Sequence, residues 1–180
     1  GPNRAVSWLA IMASIWAIAA AALLARLALG LWRVAGVVRR AQSVNESDWQ
    51  RQLELARTLV GFRRPVRLLA SDEVEVPATV GLFRPTIVLP RVGQSWVWDR
   101  RRAVLLHELV HIDRFDWPVR IAARVARAIY WFNPLVWWAV RRLDLEQELA
   151  SDEEVLALGT RASSYACHLL GVARHALTCP

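Results

Sequence analysis

The distribution of apolar residues divides the chain into an N-terminal apolar run and a longer amphipathic part. Residues 8–25 contain no charged side chain, and the apolar character continues past Arg26 to Trp32. About 20 consecutive apolar residues suffice to cross a bilayer, so residues 7–32 are predicted to form a transmembrane helix. A buried helix of a soluble protein is the alternative, because much of the run is alanine.

The arginines on either side of this run predict its orientation. Arg4 precedes it, whereas Arg33, Arg39 and Arg40 follow. Cytoplasmic flanks carry the excess of basic residues, so the remainder of the chain is expected on the cytoplasmic side of a bacterial inner membrane.

A juxtamembrane helical segment is predicted over residues 33–62. Its helical periodicity covers 47–60, with Ser47 as the N-cap and Gly61 as the end of the helix. Three strand-like runs follow at 66–70, 74–76 and 86–89, and we predict a small antiparallel sheet from them.

Prolines at 77, 85 and 90 favour edge positions for these strands. An extended peptide could add to such an edge as a further strand. A sheet that only covers the helices is an equally compatible interpretation.

The C-terminal half of the chain has the periodicity of helices. Predicted helices cover 99–115, 119–131, 134–158 and 162–177, with a break at Trp117-Pro118. Asn133 and Pro134 are typical of an N-cap and a first helical residue. Arginines at 120, 124 and 127 form one stripe of the second of these helices, which predicts either contact with a membrane surface or a solvated face.

The sequence His107-Glu108-Leu109-Val110-His111 lies within the first of these helices. Residues four apart on a helix share one face, so both imidazoles can bind one metal ion, with Glu108 beside it as a base. Chance placement of three polar groups among leucine, valine and isoleucine is the alternative, and it is disfavoured because such burial is costly.

The third metal ligand must be chosen among six acidic residues of the 134–158 helix. Helical phase places Glu148 and Asp152 on the side that carries Leu145, Leu149 and Leu156. Glu148 is therefore predicted as the third zinc ligand, and Asp152 as the acceptor of a ligand histidine's outer N–H. Pairing of these acids with Arg141, Arg142 or the arginines at 100–102 is the alternative.

Tyr165 and His168, in the 162–177 helix, are candidate oxyanion stabilisers. Surface or packing roles are the more common use of single polar residues near a chain end.

Composition excludes some classes of function. All 23 basic residues are arginines, and the net charge is +7. The arginines are scattered and no aromatic RNA-binding motif is present, so direct nucleic-acid binding is not expected. An anionic membrane surface is the expected counter-charge. Two cysteines are too few for a disulfide framework.

Together these motifs resemble a known family. The H-E-x-x-H helix followed by Glu148-Leu-Ala-Ser-Asp152 resembles the gluzincin pattern, and the chain is more specifically similar to the BlaR/MecR-type membrane metallopeptidases of the β-lactam receptor family. The resemblance covers about 63–176 and is carried by residues 64–69, 81–90, 102–117, 130–137 and 146–152. Ser151 stands where that family often has cysteine, a departure that should leave zinc binding unaffected.

The resemblance implies a mainly helical α+β zinc peptidase domain over residues 63–178. It implies that His107, His111 and Glu148 bind zinc and that Glu108 is the catalytic base. The expected activity is hydrolysis of a cytoplasmic protein, such as a transcriptional repressor, in signal transduction of the kind that underlies antibiotic resistance. A housekeeping protease of the CAAX type and a non-catalytic zinc-containing signalling module are the alternative functions.

Overall fold

Five α-helices, a short 3-10 helix and a four-stranded sheet make up residues 8–159, the part of the chain that the computed structural model describes. The helices are α1 (Trp8–Arg40), α2 (Ser47–Val60), α3 (Trp98–Asp113), α4 (Asp116–Ile129) and α5 (Pro134–Ala157), and the 3-10 helix covers Arg91–Ser95. The strands are β1 (Gln42–Ser43), β2 (Arg67–Ser71), β3 (Ala78–Val80) and β4 (Thr86–Pro90). The predicted α+β fold class, mainly helical, is confirmed.

Helix α1 is continuous and runs on from Trp32, where the predicted span ends, to Arg40. Among the described helices it alone is long and apolar enough to cross a membrane. Only 6% of its most apolar window is buried. A core helix of a soluble protein would be covered on most sides, so the low burial favours a membrane location. The division of the chain after residues 32 and 62 stays a prediction.

The sheet is mixed, and the predicted antiparallel arrangement is wrong. Its strand order is β1-β2-β4-β3, and β2 and β4 are parallel neighbours, whereas the two outer pairs are antiparallel. The connection after β2 carries the chain past the position of β4 to the far edge of the sheet. The chain then returns through Gly81 (φ 91°), where an added Cβ would lie 2.8 Å from the carbonyl oxygen of Arg84. Only glycine fits this turn without strain.

The positions of two strands also differ from prediction. The run 74–76 is not a strand, and the paired residues are Ala78–Val80, after Pro77. Strand β4 lies in the interior of the sheet although prolines flank it. Pro85 and Pro90 stand at its ends, so Thr86–Leu89 keep every N–H that an interior strand must donate.

The hydrophobic core lies between the sheet, α2 and α3. Trp49 and Leu53 of α2 are buried against Leu105, Leu106 and Leu109 of α3. This packing fixes α3 on the sheet. Its opposite face is left for α4 and α5, which both contact it.

Two of the helix ends predicted from local sequence are confirmed, and two others are wrong. Asn133 caps α5 by accepting a hydrogen bond from the N–H of Leu135 (3.0 Å), and Gly61 ends α2 in the left-handed conformation (φ 80°), both as predicted. Glu46, rather than Ser47, occupies the N-cap position of α2, and no side chain caps that end.

The break between α3 and α4 falls at Phe115 (φ 58°), rather than at Trp117-Pro118. Pro118 instead lies in the first turn of α4, where its missing N–H costs no helical hydrogen bond.

Candidate metal centre

The two histidines of α3 face each other on the side turned toward α5. The Nε2 atoms of His107 and His111 are 3.1 Å apart, and the ring centroids are separated by 4.6 Å in an edge-to-face arrangement. One helical turn separates the two residues, so the shared face follows from the backbone alone. Both Nε2 lone pairs can therefore be directed at a single point.

Glu148 of α5 completes the set. Its Oε2 lies 3.5 Å from Nε2 of His107 and 3.7 Å from Nε2 of His111. Ligand atoms around a tetrahedral zinc ion, each about 2.0–2.1 Å from the metal, lie about 3.3 Å from one another. The three separations are close to that value, so the residues present fit a zinc ion with one coordination position left open.

Arg120 of α4 holds the outer oxygen of Glu148. Its Nη2 donates to Oε1, while its Nε donates to Oε1 of Gln147 (2.7 Å). The guanidinium thus occupies one carboxylate oxygen and leaves Oε2 directed at the histidines. The alternative pairing of Glu148 with arginines of α5 or of residues 100–102 is not found among the described residues; Arg142 instead pairs with Glu146.

The side of α5 that the helical phase predicts to be buried is wrong, although Glu148 was chosen from it. Leu145, Leu149 and Leu156 are 48%, 47% and 36% exposed, whereas Gln147, Ser151 and Val155 are the buried residues of this stretch. The side chains of Glu148 and Asp152 lie at the edge of that face and are 47% and 39% exposed. Polar partners on α3 and α4 determine which side of α5 is buried, and apolar periodicity does not report them.

Asp152 lies beside the other nitrogen of a predicted ligand, as expected from its position one turn after Glu148. Its Oδ1 is 3.3 Å from Nδ1 of His107. A carboxylate in this place fixes the tautomer and leaves Nε2 free for a metal.

Asp116 has the same relation to His111, a role that was not predicted from the sequence. Its Oδ2 lies 2.7 Å from Nδ1 of His111, and the residue is only 4% exposed. Ser151 Oγ is 3.1 Å from the same nitrogen. The left-handed Phe115 turns the chain so that Asp116, at the start of α4, points back at α3. The sequence signal was an aspartate five residues after the second histidine, at the start of the next helix.

Glu108 is buried next to the edge strand of the sheet. Its Oε2 accepts a hydrogen bond from Thr79 Oγ1 (2.7 Å), and the same hydroxyl lies 3.2 Å from the Glu108 carbonyl oxygen. Thr79 belongs to β3, which contacts α3 through this pair. The edge strand therefore orients the predicted base, a role that the sequence did not reveal.

The charges of the site are strongly coupled. The pKa of Glu148 is held well below its usual range by hydrogen bonds with His107 and His111, and Arg120 adds to this effect. Burial by itself lowers the pKa of His111, but its contacts with Glu148 and Asp116 and the charge of Glu108 outweigh burial, and the net pKa is raised. Glu148 is thus held in its ionised form, in which its carboxylate can bind a cation.

Tyr165 and His168, the candidate oxyanion stabilisers, lie outside the described residues.

The elements described so far define a class: an α+β domain with an apolar N-terminal helix, in which an H-E-x-x-H helix and a glutamate from a second helix form a possible metal site. The profile of the family described as BlaR1 peptidase M56 matches residues 2–178. The chain therefore belongs to this peptidase family.

Two relatives of the chain are named for regulation and for methicillin resistance. The chain is 29% identical to the regulatory protein BlaR1 of Bacillus licheniformis over 143 residues, which are 79% of this chain and 24% of that protein. It is 26% identical over 126 residues to the methicillin resistance mecR1 protein of Staphylococcus aureus, covering 69% of this chain and 22% of the relative. The chain spans about a quarter of the length of these relatives.

Proposed function

We propose that this chain is a membrane-anchored zinc metalloendopeptidase that cleaves a cytoplasmic protein during signal transduction. The observation that carries the proposal is the position of three predicted ligand atoms at separations suited to one zinc ion. Glu108 follows His107 directly in the chain, and its charge helps to raise the pKa of His111. Membership of a peptidase family supports the reaction class. Helix α1 provides the anchor, and the arginines at its C-terminal end favour a cytoplasmic site.

Each residue of the site has a separate role in peptide hydrolysis. His107, His111 and Glu148 would hold the zinc ion, which would supply Lewis acidity for activating water and polarising the scissile carbonyl. Glu108 takes the proton from the attacking water and returns it to the leaving amine. Thr79 orients the Glu108 carboxylate, and Asp116 and Asp152 orient the two imidazoles.

Strand β3 is the surface on which an extended substrate would align. It is the last strand in the sheet order, so one of its edges has no partner among the described strands. A peptide added there as a further strand would run past Thr79 and hence past Glu108. This placement favours cleavage within a peptide segment. A transcriptional repressor is the candidate substrate, because one relative is named as a regulatory protein.

Zinc content and Glu108→Ala together test the proposal. The purified chain should hold about one zinc ion, and Glu108→Ala should keep the metal because Glu108 is not among the ligands. In cells, a protein fragment should form with the wild type and disappear with Glu108→Ala, while Glu146→Ala, a change of an exposed acid on α5, should leave it.

Three other results would point elsewhere. Absence of stoichiometric zinc would refute the metal site. Retained zinc with identical fragments from Glu108→Ala would identify a non-catalytic zinc module. Fragments derived only from prenylated proteins would favour the CAAX-type activity.

A further inference from the structure

A groove between α1 and α4 lies outside the candidate metal centre. It has a volume of about 610 Å³. Its α1 wall is apolar except for Arg26, and Leu27 and Leu31 contribute to it. Its α4 wall carries the arginine stripe, so Arg124 and Arg127 line the same space. The stripe predicted from sequence therefore faces α1.

The charge of this groove is only partly balanced. Arg120, at one end, pairs with Glu148 and Asp144. In the described part of the chain, no carboxylate lies within ion-pair distance of Arg26 or Arg124, and Arg127 stacks on Trp137 with its guanidinium 4.9 Å from the ring centroid. Guanidinium groups gathered in this way suit the oxygens of a phosphate, which they bind in bidentate fashion.

The groove lies along the C-terminal part of the predicted membrane span, from Leu23 to Val34 of α1. A helix of 33 residues is about 50 Å long, more than the roughly 30 Å of a bilayer core. The charge-free part of α1 stops before Arg26, and the predicted span ends at residue 32, so the stretch from Arg26 to Val34 that lines the groove lies at the headgroup end of the span. Trp117 and Trp137 line it as interfacial aromatics do.

The turn after α4 extends this arrangement toward the apolar part of α1. Trp16 Nε1 donates a hydrogen bond to the carbonyl oxygen of Ile129 (2.8 Å), which fixes the end of α4 beside the middle of the apolar run. The following residues expose Phe132 (61%), Leu135 (70%) and Trp138 (67%). These side chains can contact the acyl chains of a lipid while the arginines of the groove bind its phosphate.

From this juxtaposition we propose that the groove between α1 and α4 binds the phosphate headgroup of an anionic phospholipid from the leaflet on the zinc-domain side. Arg26 comes from one wall and Arg124 and Arg127 from the other, so a bound headgroup would link the two helices. The proposal shares with the proposed function only the location of α1 in a membrane, and it requires neither zinc nor catalysis.

Native mass spectrometry of the purified chain in neutral detergent tests the site. With equimolar phosphatidylglycerol and phosphatidylcholine, we expect one phosphatidylglycerol to be retained in preference. Each arginine near a headgroup is worth about a fivefold change in affinity, so Arg124→Gln with Arg127→Gln should weaken retention about 30-fold. Arg26→Gln, on the other wall, should weaken it about fivefold.

A matched control has the same change in charge away from the groove. Arg51→Gln with Arg67→Gln alters two exposed arginines of α2 and β2 and should leave retention unchanged. If this control loses phosphatidylglycerol to the same extent, overall charge explains the retention and the proposed lipid site is refuted. Equal retention of both lipids, or unchanged binding in both groove variants, would also overturn it. Displacement of the lipid by millimolar inorganic phosphate would identify a site for free phosphate instead.

Discussion

Asp116 lies directly behind His111, with its Oδ2 2.7 Å from Nδ1 of the imidazole and both residues buried. This contact joins the start of α4 to the metal-binding face of α3. It also sets the tautomer, because a donor N–H on Nδ1 leaves Nε2 as the lone pair that faces His107.

Replacing Asp116 should therefore weaken zinc binding. In Asp116→Asn the amide can present its nitrogen to His111 and no longer enforces one tautomer, so we expect a loss of zinc affinity of about 10- to 100-fold. Competition with a chromophoric chelator measures this. Asp113→Asn, an exposed carboxylate three residues earlier, is the control and should bind zinc as the wild type does. Equal affinity in both variants would show that Asp116 does not position His111.

Arg120 connects the metal centre to the helix that packs on α1. Arg120→Gln removes the bonds to Glu148 and Gln147, so the carboxylate can rotate away from the histidines, and zinc affinity should fall about tenfold. Arg120→Lys keeps the charge but not the fork that reaches both partners, so it should restore only part of the affinity.

Arg124→Gln is the matched control for Arg120, because it removes the next arginine of the stripe, which has no carboxylate partner in the described residues. It should leave zinc affinity unchanged. If the two variants lose zinc equally, general charge and not the Glu148 contact is responsible.

Thr79 should affect turnover without affecting metal content. Thr79→Val removes the hydrogen bond to Glu108 while it preserves the volume and the strand preference of the side chain. A hydrogen bond to a charged group contributes about 1.5–3 kcal/mol, so kcat should fall about 10- to 100-fold if the bond persists in the transition state. Thr79→Ser retains the hydroxyl and should recover most of the rate. A fall in zinc content in Thr79→Val would instead indicate a structural role.

The fold elements that the sequence predicted well are those fixed by local chemistry. Asn133-Pro134 and Gly61 mark helix ends through caps formed within a few residues. The spacing of His107 and His111 places them on one face in any helix.

What the sequence could not predict depends on distant parts of the chain. The interior position of β4 requires β3 to pass to the far edge of the sheet, and no local pattern encodes that path. The buried side of α5 carries Gln147 and Ser151, whose partners are Arg120 and His111 on other helices. Apolar periodicity predicts the wrong buried side for α5, although Glu148, the residue chosen from it, does reach the histidines.

The pH dependence of zinc binding should report the raised pKa of His111. In the metal-free chain, protonated His111 is favoured by its acidic neighbours, so this residue contributes stability below its unfolded pKa of about 6.5 that is lost as pH rises through the folded value. Zinc requires the neutral imidazole, so its affinity should change in the opposite sense. The lowered pKa of Glu148 keeps that carboxylate ionised over this range. We expect zinc affinity to weaken on acidification with a midpoint above pH 6.5, measured by chelator competition at about pH 5.5–8.5.

The variant Asp116→Asn tests the cause of this raised midpoint. It removes one group that raises the pKa of His111, so the midpoint of zinc binding in the variant should move to lower pH. A midpoint below 6.5 in the wild type, or one that Asp116→Asn leaves in place, would contradict the coupling between these two residues.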